Sequence, residues 1–178
     1  MSVRLFVALD LPAPAREALA AFRDAAADPE VWRRLPESSL HVTLAFLGHR
    51  PEEDVERVIS ALGGVSLPAE LPLRLGPALL LPPRRARVLT VEVSGEVGPV
   101  QATVSDALEA IGLYTPERRP FRAHVTVARL RAGARAPRAV AGAPEPVAFG
   151  GGPVVLYRSR LGRGGASYEP LFTTVGPR

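Results

Sequence analysis

A short pattern, His-Val-Thr-x-Ala, occurs twice in this sequence and constrains its fold more than any other feature. The first copy begins at His41, and the second begins at His124, 83 residues later. Both copies lie in runs of alternating β-branched and apolar residues, which are typical of strands. Successive strand side chains point to opposite faces, so the histidine and threonine of each copy share one face. The sequence therefore predicts two strands that each present an imidazole beside a hydroxyl, from Thr43 in one copy and Thr126 in the other.

The sequence around the two copies predicts an internal duplication. In each half a strand, a helix and a proline-containing connector precede the His-Thr strand. The segments Arg4-Leu-Phe-Val and Arg87-Val-Leu-Thr each lie 37 residues before a motif histidine. A duplicated unit is the economical interpretation, with pseudo-repeats at residues 3–48 and 86–130 of a single bilobal domain, 1–178. Two related lobes would bring the His-Thr strands together about a pseudo-twofold axis and leave a cleft between them.

The remaining patterns predict an α+β fold, in which strands alternate irregularly with helices. Residues 131–146, rich in Ala, Arg and Pro, are predicted to form a loop, and residues 32–39 a connector. Strands are predicted at 3–9, 40–47, 71–81 (one strand or a pair broken by prolines), 88–93 and 122–130, helices at 15–26, 52–62 and 98–111, and a closing hairpin at 153–161 and 167–175 with a glycine-rich turn at 162–165.

Composition narrows the class of protein. The chain has 178 residues, of which 47% are hydrophobic, enough for one well-packed domain. It has no run close to the roughly 18–20 apolar residues of a membrane span and no pattern of a signal peptide, so we expect a cytoplasmic protein, by default a monomer. The absence of cysteine excludes disulfides and thiolate metal sites.

The basic residues are all arginine, 22 against 18 acidic residues. The guanidinium group suits phosphate recognition. The abundance of Ala, Gly and Pro indicates a compositional bias that favours arginine over lysine by itself, so the net charge alone does not establish a nucleic-acid partner.

Two histidines can serve one reaction as an acid and a base. The unperturbed histidine pKa of about 6.5 permits both roles near neutral pH, and threonine hydroxyls can stabilise charge on phosphate oxygens. This favours in-line attack on a phosphodiester without a metal. Metal binding is the alternative, but histidines without neighbouring carboxylate or cysteine ligands make a poor site. A single His-x-Thr is more often structural, whereas two matching copies in a chain with three histidines favour a shared function. The third histidine, His49, follows a turn glycine and is interpreted as a surface residue.

The two motifs and their flanks resemble the two-histidine phosphoesterase superfamily. The similarity covers residues 4–12, 37–48, 119–129 and 156–171 and is closest to the bacterial and archaeal RNA 2′,3′-cyclic phosphodiesterase branch, also called 2′-5′ RNA ligases. One departure is Ala123, where the family often has a proline before the second histidine. This loosens a backbone constraint and leaves the chemical groups unchanged.

The resemblance implies a bilobal fold with two antiparallel β-sheets facing a central cleft and helices on the outer faces. It implies hydrolysis of RNA 2′,3′-cyclic phosphate ends to 2′-phosphomonoesters, with reversible 2′-5′ ligation as a side activity and no cofactor or metal. By the family pattern, His41 is the proton donor to the leaving 3′-oxygen and His124 is the base that activates water. Thr43, Thr126 and Arg129 would hold the phosphate. Strict alternation places Arg129 on the face opposite His124, so only a β-bulge or the twisting strand end would return it to the cleft.

Two aromatic residues, Phe46 and Tyr168, are candidate contacts to the base, with ordinary core packing as the alternative for each. Candidate partners are RNA ends, such as transfer-RNA fragments, and nucleotides. Three other functions stay open: a nucleotide or RNA-end binding module with little catalysis, a phosphodiesterase of small cyclic phosphates or 2′-5′ oligonucleotides, and ligation as the main activity. Ligation through a lysyl-adenylate is excluded, because the chain contains no lysine.

Overall fold

Nine strands and three α-helices form an α+β fold in the computed structural model, which describes residues 2–140, 142–162 and 165–174. A single turn of 3-10 helix at Glu37–Ser39 precedes the first motif. The strands are β1 (Ser2–Asp10), β2 (Trp32–Arg34), β3 (His41–Pro51), β4 (Pro72–Leu81), β5 (Val88–Gly95), β6 (His124–Leu130), β7 (Ala148–Gly150), β8 (Val154–Gly162) and β9 (Gly165–Thr173), and the helices are α1 (Ala13–Ala26), α2 (Asp54–Gly63) and α3 (Val97–Ala110).

The three predicted helices and the predicted long strands are confirmed to within a few residues. The segment 71–81 is one strand, β4, whose pairing with β5 is interrupted by a bulge at Gly76 and Pro77. The strands β2 and β7 were not predicted, because each has only three residues. The closing hairpin forms as β8 and β9. Its turn residues 163–164 and the predicted end at 175 lie outside the described residues.

The strands pair antiparallel in the order β7-β4-β5-β6-β3-β1-β8-β9, with β2 also on β6. The expectation of two separate sheets is therefore wrong, since one curled sheet runs through both halves. The two halves meet where β3 pairs with β6 at Val42 and Val125. Both valines are fully buried, and backbone groups left unpaired at that depth would be costly. The single pair at this junction joins the two halves into one sheet.

The helices cover the face of the sheet that carries the core. The helix α1 contacts β6 and β7, and α3 contacts β3 and β5. Their buried positions follow helical spacing, as with Leu19 in α1 and Val104 and Leu108 in α3, which are fully buried. Burying one such side chain contributes roughly 1.5–3 kcal/mol. The opposite face, near the start of β3 and β6, carries the polar residues of the two motifs. No helix in the described ranges is long and apolar enough to cross a membrane.

The two halves share a local architecture. In each, a strand, a helix and a returning antiparallel strand follow one another, and the two strands are neighbours, β1 with β3 and β5 with β6. In each, an acidic residue of the first strand pairs in register with the motif histidine: Asp10 with His41, and Glu92 with His124. The duplication itself stays a prediction.

Candidate active site

The two motifs meet at the junction of the two halves. The strands β3 and β6 each begin at the motif histidine, and the next residue of each, Val42 or Val125, forms the pair that joins them. Because these valines point into the core, His41 and His124 point into the open space on the other face. The junction therefore fixes the two imidazoles on adjacent antiparallel strands.

A cleft of about 430 Å³ lies between the motifs. No carboxylate lines it among the described residues, whereas three arginines, Arg4, Arg33 and Arg129, do. The cleft therefore suits an anion. It contains all seven side chains named from the sequence: His41, Thr43, Phe46, His124, Thr126, Arg129 and Tyr168.

Backbone and side-chain contacts fix the orientation of His41. Its Nδ1 lies 2.9 Å from the carbonyl oxygen of Ser39, and its Nε2 lies 3.2 Å from Oγ1 of Thr43. A carbonyl only accepts, so the neutral ring carries its proton on Nδ1, and the threonine hydroxyl donates to Nε2. The ring stacks on Phe6 with centroids 4.9 Å apart and meets the edge of Tyr168 at 5.4 Å.

These surroundings make His41 a weak base in the free protein. Its pKa is lowered to about 4, mainly because the ring is buried. The positive charges of Arg129 and His124 act in the same direction, and the hydrogen bond to Ser39 opposes them. The imidazole is therefore neutral at pH 7 unless an anion enters the cleft.

A backbone carbonyl also fixes the orientation of His124. Its Nδ1 lies 2.7 Å from the carbonyl oxygen of Arg122, also two residues earlier in the chain. Within the described part of the chain its Nε2 has no hydrogen-bond partner. The guanidinium of Arg122 is held in turn by Glu92, 2.7 Å away. Each motif thus presents the Nε2 atom of its histidine for chemistry while Nδ1 is fixed by a carbonyl.

Matching β-bulges bring Phe46 and Arg129 into the cleft. In β3 the register with β1 skips Leu44, and in β6 the register with β5 skips Val127. Each bulge shifts the alternation by one residue, so the side chain five positions after each histidine faces the cleft. The bulge that the position of Arg129 requires is therefore present, and a second one occurs in the other half.

Phe46 does not take the core position that was the alternative for it. Its side chain is 51% exposed at the cleft. The guanidinium carbon of Arg4 lies 4.8 Å from its ring centroid, and Nη1 of Arg4 donates to Oγ of Ser159 at 3.3 Å. Tyr168 is partly buried, with its ring against His41.

Two cleft arginines were not assigned a role from the sequence. Arg33 lies on β2 in register with Arg129, and its strand was interpreted as a connector. A side-chain carbon added at Gly165 in β9 would overlap the Arg33 guanidinium, so glycine lets the closing hairpin approach it. Arg4 is a single charged residue inside an apolar strand, and this break in the apolar pattern is the sequence signal that could have identified it as a functional residue.

Metal binding gains no support from the donor set. Within the described ranges, no three His, Asp or Glu side chains lie close enough together to hold a metal ion. The groups that converge on the cleft are imidazoles, hydroxyls and guanidinium groups, which suit an oxyanion.

Comparison with known proteins extends these observations. The chain is 31% identical over 95% of its length, and over 88% of that protein, to an RNA 2′,3′-cyclic phosphodiesterase of Thermus thermophilus. A segment covering 34% of each chain is 44% identical to the RNA 2′,3′-cyclic phosphodiesterase of Escherichia coli. The crystal structure of E. coli LigT complexed with 3′-AMP matches with a TM-score of 0.78 at 27% identity, over 98% of this chain and 99% of that one. The sequence model of one family, the 2′-5′ RNA ligase superfamily, matches residues 11–163. The resemblance inferred from the two His-Thr motifs is thereby confirmed, and the chain belongs to the 2′-5′ RNA ligase superfamily.

Proposed function

We propose that this protein hydrolyses the 2′,3′-cyclic phosphate at the end of an RNA and leaves a 2′-phosphomonoester. The observation that carries the proposal is the convergence of two His-x-Thr pairs on one cleft that no described carboxylate lines. The names of the two relatives, both RNA 2′,3′-cyclic phosphodiesterases, support the same reaction class.

The proposed reaction uses one histidine to take a proton and the other to give one. Nε2 of His124 removes a proton from water, whose oxygen attacks the phosphorus. The bond between phosphorus and the 3′-oxygen breaks, and Nε2–H of His41 protonates that oxygen. The phosphate stays on the 2′-oxygen, and the two histidines return to their starting states by exchanging protons with solvent.

The threonines and Arg129 are assigned to the charge on the phosphate. Hydroxyls of Thr43 and Thr126 would donate to its non-bridging oxygens, which become more negative as the water attacks. Arg129 supplies a positive charge from the bulged strand. When phosphate replaces Nε2 as the acceptor of the Thr43 hydroxyl, Nε2 is released to carry the proton that the leaving oxygen needs.

The low pKa of His41 supports its assignment as the acid. A weakly basic imidazole gives a strong acid once protonated, which favours proton transfer to an alkoxide leaving group. At pH 7 the free cleft disfavours that proton, but a bound phosphate anion beside the imidazole reverses this effect. Binding of the substrate would thus protonate His41, which then acts as the acid.

The same arrangement would serve 2′-5′ ligation without ATP. If the 5′-hydroxyl of a second RNA takes the place of water, its oxygen attacks the phosphorus and His124 removes its proton. The 3′-oxygen leaves with the proton of His41, and a 2′-5′ phosphodiester results. We treat this as a side activity of the hydrolase, because water is always present in so open a cleft.

The experiment that tests the proposal is incubation with an oligoribonucleotide ending in a 2′,3′-cyclic phosphate, in the presence of EDTA. We expect a 2′-phosphate product. His41→Ala and His124→Ala should each lose roughly 10²- to 10⁴-fold in kcat, and Thr43→Val and Thr126→Val about 10²-fold each. The matched control is Thr103→Val on the exposed face of α3, which should keep wild-type activity.

Three results would count against the proposal. A 3′-phosphate product would reverse which oxygen is protonated. Substantial turnover in either histidine variant, with the fold intact by circular dichroism, would remove the assigned roles. Tight binding of the oligonucleotide without any product would favour a binding module.

A further inference from the structure

The catalytic cleft continues over one edge into a second depression. Arg4, Ser159 and Leu161 line the cleft that holds the motifs, and they also line a neighbouring cleft of about 430 Å³. Phe46 lines the first cleft and lies against Arg4, and we call these four residues the arginine rim. A ligand longer than one nucleotide that leaves the His-Thr pairs in this direction must cross the rim.

The rim carries two large hydrophobic side chains that are exposed. Over the described part of the chain, two large hydrophobic side chains are exposed, Phe46 at 51% and Leu161 at 72%. Both belong to the rim. Apolar side chains grouped at the mouth of a charged cleft indicate a binding surface. The ring of Phe46 can stack on a nucleobase, and Leu161 can pack against one.

Arg4 places an uncompensated positive charge on this border. It donates to the hydroxyl of Ser159 and lies over the ring of Phe46, and it has no carboxylate partner among the described residues. These two contacts hold the guanidinium in place without neutralising it. In the second depression the described carboxylate, Glu52, is already paired with Arg158 at 3.2 Å. The rim therefore has a fixed cation available for an anion.

The register of β1 separates this charge from the proposed catalytic phosphate. Asp10, at one end of β1, pairs with His41, whereas Arg4, near the other end, pairs with His49. Arg4 thus acts farther along the strand than the His-Thr pairs do. Its guanidinium lies over Phe46 and against Ser159, on the side of the cleft that adjoins the second depression. An anion on this side can be a second phosphate of the ligand that carries the cyclic one.

We propose that the arginine rim is a subsite for the nucleotide that precedes the one bearing the cyclic phosphate. Arg4 binds the phosphodiester that joins these two nucleotides, and Leu161 contacts the upstream base. This inference rests on the proposed function and narrows its substrate class, since it makes RNA ends better substrates than mononucleotides or other small cyclic phosphates.

The test compares three substrates by kcat/KM. They are adenosine 2′,3′-cyclic phosphate, the adenosine dinucleotide ending in the same cyclic phosphate, and that dinucleotide with a neutral methylphosphonate as its internal linkage. We expect wild type to prefer the charged dinucleotide over the neutral one by about tenfold, the size of one charge-assisted hydrogen bond. Arg4→Gln should abolish this ratio, and Arg4→Lys should restore part of it. The control Arg118→Gln, at an exposed arginine outside both clefts, should keep the ratio of wild type.

The outcomes separate this inference from the proposed function. Equal rates of wild type on the charged and neutral dinucleotides would overturn the subsite while the hydrolase stands. A uniform loss on all three substrates in Arg4→Gln would assign Arg4 a structural role and also overturn it. If wild type, shown to be folded, converts none of the three substrates, the proposed function itself fails.

Discussion

Protonation of His41 couples the cleft to the stability of the fold. The folded-state pKa of about 4 lies below the value of about 6.5 expected in the unfolded chain. Between these values the unfolded state binds more protons, so the free energy of unfolding falls as the pH falls through that window. At pH 5 the free energy of unfolding is about 2 kcal/mol lower than at pH 8 because of this single group. The value is RT times the logarithm of the ratio of the proton-binding polynomials of His41 in the unfolded and folded states. Above about pH 7 the effect vanishes.

The assay compares wild type with His41→Asn by urea unfolding at several pH values. Asparagine retains a donor for the carbonyl of Ser39 but does not titrate. We expect wild type to lose about 2 kcal/mol more than the variant between pH 8 and pH 5. Carboxylates that titrate in this range affect both proteins and cancel in the difference.

Proton NMR measures the pKa of His41 directly. The chain has three histidines, and the signal missing in His41→Asn identifies the ring. We expect a midpoint near 4 in the free protein and a higher one with inorganic phosphate, since the anion stabilises the imidazolium. A midpoint of about 6 or above without phosphate, or parallel stability profiles of the two proteins, would refute the argument from burial.

Two further predictions concern contacts around the cleft. Gly165→Ala should lower the free energy of unfolding by about 1–3 kcal/mol. The φ of 116° at Gly165 is unfavourable for alanine, and the new carbon would overlap Arg33. The comparison is Ala166→Gly, and an unchanged urea midpoint in Gly165→Ala would contradict this prediction. Tyr157→Phe should cost about 1 kcal/mol, because the tyrosine hydroxyl donates to Asp10 at 2.8 Å. Since Tyr157 does not line the cleft, its loss should leave kcat within about threefold, and a larger fall would show that it acts on the reaction.

The placement of the four motif side chains could be predicted from the sequence because it depends on local geometry. Strand alternation fixes a shared face for a histidine and the threonine two residues later. Because the motif occurs twice, the sequence also predicts that both His-Thr pairs line one cleft. Neither step requires knowledge of distant contacts.

The positions of Phe46 and Arg129 depend on bulges, which alternation alone cannot supply. A signal was nevertheless present in both motifs. Leu44-Ala45 and Val127-Ala128 are consecutive buried apolar residues, and such a pair in a strand with one polar face indicates an extra residue. The single sheet and the cleft role of Arg33 could not be predicted, because they depend on the pairing of residues far apart in the chain.

The two halves hold their histidines alike but surround them differently. Asp10 pairs in register with His41, yet its carboxylate accepts the hydroxyl of Tyr157, and the acid of the other half, Glu92, is engaged by Arg122. Each acid is thus used by another partner, and the Nδ1 atoms bond carbonyls instead of carboxylates. Since no described carboxylate lines the cleft, the phosphate of a bound ligand is the negative charge that can stabilise an imidazolium there. Under the proposed mechanism, His41 therefore acquires its proton together with the substrate, and a neutral substrate analogue should fail to raise the pKa of His41.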